Sequence, residues 1–150
     1  MLQGEYLSVL EAKDQAQFRS VVVRFAQQLG FETVSASAIV DLPGAASEFV
    51  AVHNTPMAFE QSFDNIDIGR RDPVMQHCRS QSVPIIWNQA TYTARGLGAL
   101  WEEQARFGYS TGIAMALHLP EGRHFVLGVE RRQPLPTDAV ELRRIVADLQ

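Results

Sequence analysis

Residues 55–87 read TPMAFEQSFDNIDIGRRDPVMQHCRSQSVPIIW and carry the most informative pattern of the chain. Phe59 and Phe63 are four residues apart, so on a helix they share one face. The pairs Thr55-Pro56 and Asp72-Pro73 each predict a helix start, because proline is favoured in the first turn and aspartate is a good N-cap. The stretch therefore brings two phenyl rings, one carboxylate and the indole of Trp87 towards one small volume.

The composition predicts a single globular domain. The chain has 150 residues, of which 46% are apolar and 20% charged, which suffices for a core without disulfides or metals. The formal net charge is −4 and basic residues occur in no cluster larger than a pair, which argues against nucleic-acid binding by this chain itself. The chain has one cysteine and shows no signal peptide. It also has no apolar run near the roughly 20 residues of a membrane span. These features favour a cytoplasmic location without membrane contact.

Hydrophobic periodicity and turn residues predict an alternation of helices and strands. The predicted helices are 5–13, a helix capped by Asp14 and stopped by Gly30, two helices starting at Pro56 and Pro73, Leu97–Tyr109 and Pro136–Gln150; the predicted strands are Thr33–Val40, Glu48–His53, Val83–Trp87, Thr111–Leu119 and Phe125–Arg131. Hairpin signals favour antiparallel pairing. The expected fold class is α/β, an α/β/α sandwich with a central five-stranded antiparallel sheet.

Small residues recur along three of the predicted strands, at positions Ala36, Ala38, Gly112, Ala114, Ala116 and Gly128. Alternate residues of a strand lie on one face, so such a sheet face is nearly bare. One interpretation is a largely dry ligand slot between the sheet and the aromatic helix face. The other is close packing of a helix on the sheet. Phe59 and Phe63 become pocket walls only in the first case.

The ordered set Asp72-Pro73, His77-Cys78, Trp87 and Gly112 resembles the autoinducer-binding domain of LuxR-type quorum-sensing transcription factors. The resemblance covers roughly Leu10 to Glu141 and rests on the order and spacing of the set, since each element alone is common. It implies the same α/β/α architecture. It also implies a pocket for an acyl-homoserine lactone or a related amphiphilic signal.

The resemblance assigns roles to individual residues. A carboxylate at the position of Asp72 accepts a hydrogen bond from the ligand amide, the indole matching Trp87 packs on the lactone ring, and the glycine matching Gly112 lets a strand pass close to the pocket. Asp72 also has a purely structural interpretation as the N-cap of the helix after Pro73. Val74 and Cys78, one turn apart on that helix, are expected to border the pocket.

Three positions depart from the family pattern. Phe59 stands where the family usually has a tryptophan that donates to the lactone carbonyl, and Phe63 where it usually has a tyrosine that donates to the acyl carbonyl. Thr55 occupies a third position that is often tyrosine. Ring volume is kept at the two phenylalanines while the donors are lost. The resemblance therefore implies a ligand-binding fold more firmly than it implies a lactone.

The resulting hypothesis is a signal-sensing domain over residues 1–150 that forms a homodimer, needs no cofactor or metal and is no enzyme. The family's helix-turn-helix domain, which contacts DNA, is expected to be absent from this chain. The alternative is an interaction module that dimerises with full-length regulators without a ligand. An enzyme is disfavoured because the sequence shows no nucleophile motif, no acid–base pair and no metal spacing among its four histidines.

Overall fold

The predicted five-stranded antiparallel sheet is confirmed. The computed structural model describes residues 8–41, 43–44, 48–63 and 70–150, without the side chains of residues 49 and 61–63. The sheet order is β2-β1-β5-β4-β3. In chain order the elements are α1 (Gln15–Gln28), β1 (Thr33–Val40), β2 (Glu48–His53), α2 (Met57–Phe63), α3 (Pro73–Ser80), β3 (Ile85–Trp87), α4 (Gln89–Thr93), α5 (Gly98–Ala105), β4 (Thr111–Leu119), β5 (Arg123–Arg131) and α6 (Ala139–Leu149).

Aspartate caps set the starts of the longer helices. The Oδ1 atom of Asp14 accepts a hydrogen bond from the backbone N–H of Gln17 at 2.7 Å. Asp138 Oδ1 accepts from Val140 N at 2.7 Å, which starts α6 three residues later than the sequence predicted. Each cap satisfies amides that the first helical turn leaves without partners. Gly30, with φ of 92°, lies where α1 stops, as expected.

Helices cover both faces of the sheet. On one face α1 and α6 bury a cluster that includes Phe31, Val34, Ile113 and Val129. On the other face α3 and the segment around α4 and α5 bury a second cluster. That second cluster consists of Val74, Cys78, Trp87, Tyr92, Leu100, Tyr109, Ala114 and Ala116, and we call this side the pocket face. The sheet thus separates two apolar layers, and the tyrosines among the described residues both belong to the second.

Several element boundaries differ from the prediction. The helix expected over Leu97–Tyr109 ends at Ala105, because the chain turns at Gly108 with φ of 95°. The strand expected from Val83 begins at Ile85, after Pro84, which has no N–H to donate to a ladder. β5 starts at Arg123. Of the predicted helix 5–13, residues 8–10 are helical and residues 11–13 are not, while residues 5–7 lie outside the described part of the chain. Within the described residues, no helix is both long and apolar enough to cross a bilayer.

Candidate functional site

A pocket of ≈ 400 Å³ lies between the pocket face of the sheet and helices α2 to α5. Its floor is a row of small residues that are paired across three strands. Ser35 on β1 pairs with Gly128 on β5, and Gly128 pairs with Ala114 on β4. The predicted bare sheet face therefore exists, and the space above it is a pocket of a size typical for small-molecule sites.

The expectation that Ala36 and Ala38 belong to this floor is wrong. Residues of β1 alternate between the faces, and the side chains that line the pocket are those of Ser35 and Ser37. Ala36 and Ala38 instead line a more open cleft of ≈ 350 Å³ on the opposite face, beside Phe125. The segment Ser35-Ala36-Ser37-Ala38 is small at every position, so the choice of the apolar residues selected the wrong phase of the strand.

Asp72 caps a helix and lines the pocket at the same time. Its Oδ1 atom accepts hydrogen bonds from the backbone N–H groups of Val74 at 2.8 Å and Met75 at 3.2 Å. Its Oδ2 atom accepts from the hydroxyl of Tyr92 at 3.1 Å. Burial raises the pKa of the Asp72 carboxyl above its usual range, against the lowering effects of Met75 N–H, Tyr92 hydroxyl and Val74 N–H. Asp72 is thus the N-cap of α3 and is also placed to contact a ligand in the pocket.

Trp87 forms one wall, and Gly112 makes room for it. The indole is buried and lies edge-on to the ring of Tyr92, with 5.7 Å between centroids. Gly112 pairs with Trp87 across β4 and β3. A Cβ atom on Gly112 would lie 2.7 Å from the indole Nε1 and would also meet the carbonyl oxygen of Val129. Gly112 therefore does not line the pocket itself but lets the indole lie flat against the strand.

Phe59 belongs to an aromatic stack that closes the pocket beside Thr55. Its ring stacks on Tyr109 with centroids 4.0 Å apart and planes 18° apart, and it meets the edge of Phe107 at 5.7 Å. Such contacts fix ring positions beyond the effect of apolar burial alone. Phe63 ends α2, and its side chain lies outside the described residues.

The sequence prediction missed Glu130, which adds a carboxyl group to the pocket wall. Its Oε2 atom accepts a hydrogen bond from the Thr33 hydroxyl at 2.7 Å. Its Oε1 atom lies 3.0 Å from the place where a Cβ on Gly128 would be, so the side chain bends back over that glycine. Burial raises the pKa of Glu130 to about 7, and the Thr33 hydroxyl lowers it by a smaller amount.

Three further polar side chains make the pocket less dry than expected: those of Tyr92, Gln104 and Tyr109. Burial raises the pKa of Tyr109 to about 12. Thr55 and Thr33 lie near enough to lower that pKa. Neither they nor any other described residue forms a hydrogen bond with the Tyr109 hydroxyl. Burial, followed by the charge of Asp72, raises the pKa of Tyr92 above its usual range.

Sequence signals for two of the missed residues exist. Asn88 and Thr91 form a capping box that starts α4, and this pattern predicts the short helix that carries Tyr92. Glu130 is in phase with Gly128 and Val126 along β5, so strict alternation assigns its side chain to the pocket face. A carboxylate at the end of an apolar strand is easily taken for the start of a solvated turn.

The described part of the pocket wall includes the thiol of Cys78. Val74 and Cys78 line the pocket as expected, and burial followed by the charge of Asp72 raises the pKa of the Cys78 thiol. A thiol with a raised pKa is a poor nucleophile at neutral pH. His118 Nε2 lies 2.9 Å from the carbonyl oxygen of Cys78, to which it donates when it carries the proton, and the ring stacks on His124. No group of three metal-ligating side chains occurs in the part of the chain that the structure describes. The size of the pocket is typical of sites for small molecules.

Comparison with known proteins gives consistent matches. The family model described as autoinducer binding domain matches residues 14–149. The chain is 27% identical to the transcriptional activator protein AhyR of Aeromonas hydrophila over 135 residues, which are 85% of this chain and 52% of AhyR. The chain spans about half the length of the curated relatives it matches.

Solved structures share the fold. The N-acylhomoserine lactone dependent LuxR family transcription factor CepR2 from Burkholderia cenocepacia superimposes with a TM-score of 0.80 at 25% identity, over 99% of this chain and 85% of CepR2. SdiA of Escherichia coli, in its complex with octanoyl-rac-glycerol, gives a TM-score of 0.74 at 19% identity, over 97% of this chain and 62% of SdiA.

Proposed function

This chain belongs to the autoinducer-binding domain family of LuxR-type regulators, and we propose that it senses a small amphiphilic signal by enclosing it in the pocket. The family is one of ligand-binding domains of transcription regulators, not of enzymes. The observation that best supports this proposal is the ≈ 400 Å³ pocket, whose lining includes Asp72, Trp87 and the row of small residues. An acyl-homoserine lactone or a related single-chain amphiphile has the size and polarity for this space.

The proposed coupling of ligand to folding follows from mass action. A ligand that binds only the native state stabilises it, by about 2.7 kcal/mol when its concentration is 100-fold above Kd. For a domain of this length that corresponds to a rise of roughly 5–10 °C in melting temperature. In this proposal, contact with DNA falls to a separate helix-turn-helix domain of the regulator.

Dimerisation is proposed through the face of the sheet opposite the pocket. Ile86 on edge strand β3, together with Leu142 and Val146 on α6, lines a groove of ≈ 510 Å³. Val140 is 66% exposed and Ile86 45% exposed, which is apolar surface that a partner helix would cover. Trp87 and Ile86 are neighbours on β3 and lie on opposite faces, so a ligand that fixes Trp87 also fixes one side of the groove.

A thermal-shift panel tests the ligand. The purified domain is heated with N-acyl-homoserine lactones of short and long acyl chain, with monoacylglycerols and with simple amphiphiles. We expect stabilisation by at least one class. Mass spectrometry of lipophilic extracts from the purified protein, with an empty preparation as control, identifies what the cell supplies. Absence of a shift with every class, together with an empty extract, contradicts the proposal.

Sedimentation velocity tests the dimer. Wild-type domain with ligand is compared with Val140→Lys, which places a charge on the exposed apolar surface of α6 while leaving the pocket untouched. We expect a dimer for the wild type and a monomer for the variant. A dimer without any ligand favours the alternative function, an interaction module that pairs with full-length regulators. A monomer for the wild type at high concentration with ligand present refutes the dimer.

A further inference from the structure

The pocket is rich in acidic groups and poor in cations. The carboxyl groups of Asp72 and Glu130 both lie in its wall. All 13 lysines and arginines and all four histidines of the chain are among the residues that the structure describes, and none of them lines the pocket. A buried carboxylate without a counter-charge is costly, and it either takes up a proton or acquires a cationic partner.

The hydroxyl of Tyr109 adds an unused hydrogen-bonding group. Tyr109 is 8% exposed, it lines the pocket, and its hydroxyl has no hydrogen-bond partner within the described residues. Buried polar groups nearly always have a partner, because an unpaired one loses its hydration without compensation. Glu130 lies near enough for its charge to act on Tyr109 and on Tyr92. The Tyr109 hydroxyl, which can accept as well as donate a hydrogen bond, therefore lies close to a carboxyl group.

Aromatic rings complete the surroundings. Phe59 and Tyr109 are stacked with their planes 18° apart, and Trp87 meets Tyr92 at 71°. All four residues line the pocket. The faces of such rings attract cations through their quadrupoles, most strongly for tryptophan and tyrosine and more so where water is excluded. The aromatic rings and the carboxyl groups therefore both favour a ligand with a cationic head group.

We propose, building on the signal-binding function above, that the pocket takes an amphiphile whose head group is a protonated amine. The ammonium group would donate hydrogen bonds to the Glu130 carboxylate and to the Tyr109 hydroxyl, and Asp72 would add negative potential. The alkyl chain would lie on the row of Ser35, Gly128 and Ala114. A lactone or acyl carbonyl accepts hydrogen bonds instead, and Phe59 supplies no donor for one.

Three probes with the same alkyl chain test the head group: n-octylamine, n-octanol and N-octanoyl-homoserine lactone. Titration calorimetry at neutral pH measures Kd for each with wild-type domain. We expect the amine to bind roughly 10-fold to 150-fold more tightly than the alcohol, which corresponds to one hydrogen bond to a charged group. Circular dichroism melts confirm that every variant is folded.

Two variants assign the effect to the residues. Glu130→Gln removes the buried charge and keeps the side-chain shape, and we expect it to abolish most of the preference for the amine. Tyr109→Phe removes a hydroxyl without a partner, so the empty domain should stay stable while amine binding weakens by roughly 2-fold to 10-fold. Glu103→Gln, on an exposed site of α5, makes the same charge change outside the pocket and should leave every Kd unchanged.

The outcomes separate this inference from the function on which it rests. Tight binding of the lactone without binding of the amine overturns the inference and upholds signal sensing. Equal binding of amine and alcohol, or a preference for amine that survives Glu130→Gln, also overturns it. Failure of all three probes counts against both the inference and the proposed pocket.

Discussion

Replacing Asp72 by serine should destabilise the empty domain more than a simple loss of capping would. Serine keeps a cap oxygen for Val74 N–H, so the change of cap costs a few tenths to about 1 kcal/mol. It also removes the acceptor of the Tyr92 hydroxyl, whose donor bond is 3.1 Å long and whose residue is 2% exposed. A buried hydroxyl whose proton has lost its acceptor costs about 1–3 kcal/mol, and this cost is partly offset because a buried carboxylate is removed. We expect a total of about 1–4 kcal/mol in urea unfolding.

A double-mutant cycle isolates the hydrogen bond. Tyr92→Phe alone removes the donor of this bond. In the Asp72→Ser background it removes a hydroxyl that has already lost its acceptor, so its cost there is smaller. The double mutant should therefore lose less free energy of unfolding than the two single mutants together, by about 0.5–3 kcal/mol. Additive costs would refute the argument that this bond stabilises the fold.

The same position tests ligand recognition. Asp72→Asn keeps the cap oxygen but is neutral, so a ligand N–H that pairs with a carboxylate should bind roughly 10-fold to 150-fold more weakly. The measurement is titration calorimetry with whichever compound gives the largest thermal shift. Unchanged affinity would mean that Asp72 serves the helix and Tyr92 alone.

Three further changes test the pocket. Gly112→Ala should cost about 1–3 kcal/mol in chemical unfolding, since its Cβ would meet the backbone carbonyl oxygen of Val129 and would lie 2.7 Å from the Trp87 indole. An unaltered midpoint would show that both the strand backbone and the indole have room to move. The contribution of Glu130 to the stability of the ligand-free domain should be greatest below pH 4.5, because folding raises the pKa of this carboxyl to about 7. As pH rises from 4.5 towards about 7, the free energy of unfolding should fall by up to about 3 kcal/mol. Glu130→Gln should flatten this part of a pH series of melts, and an equal slope in both proteins would contradict the argument. Phe59→Trp should tighten lactone binding by roughly 2-fold to 12-fold through a returned donor, as measured by calorimetry. Unchanged affinity would show that position 59, which stacks on Tyr109, does not face a ligand carbonyl.

The fold was predictable because local signals agreed with one another. The caps at Asp14, Asp72 and Asp138 each combine a side chain that accepts from backbone amides with an apolar periodic helix behind it. The hairpin turn at 120–122 lies between two strands whose alternation is clear, and its register follows from that turn. The order β2-β1-β5-β4-β3 was not among the predictions, because its β1–β5 pair joins distant parts of the chain.

The site was less predictable because its residues come from elements with weak local signals. The serines and alanines of β1 do not tell which face is buried, so the phase of that strand is fixed only by the larger residues that pack against its neighbours. Tyr92 lies on a five-residue helix that has no amphipathic repeat. Glu130 reads as a surface residue until Thr33 is known to lie opposite it across the β1–β5 ladder.

The absence of a side chain at Gly128 leaves the space that the carboxyl group of Glu130 occupies in the pocket wall. The carboxyl group of Glu130 bends over Gly128 because nothing occupies that space, and a Cβ there would lie 3.0 Å from Oε1, which is tighter than an ordinary contact. With a larger residue at that position, the carboxyl group would have to shift and the floor would present a side chain of its own. The same glycine thus leaves room for an alkyl chain above the sheet and for an acceptor beside it. Together with Phe59, which removes a donor, this feature changes the pocket towards ligands that donate hydrogen bonds.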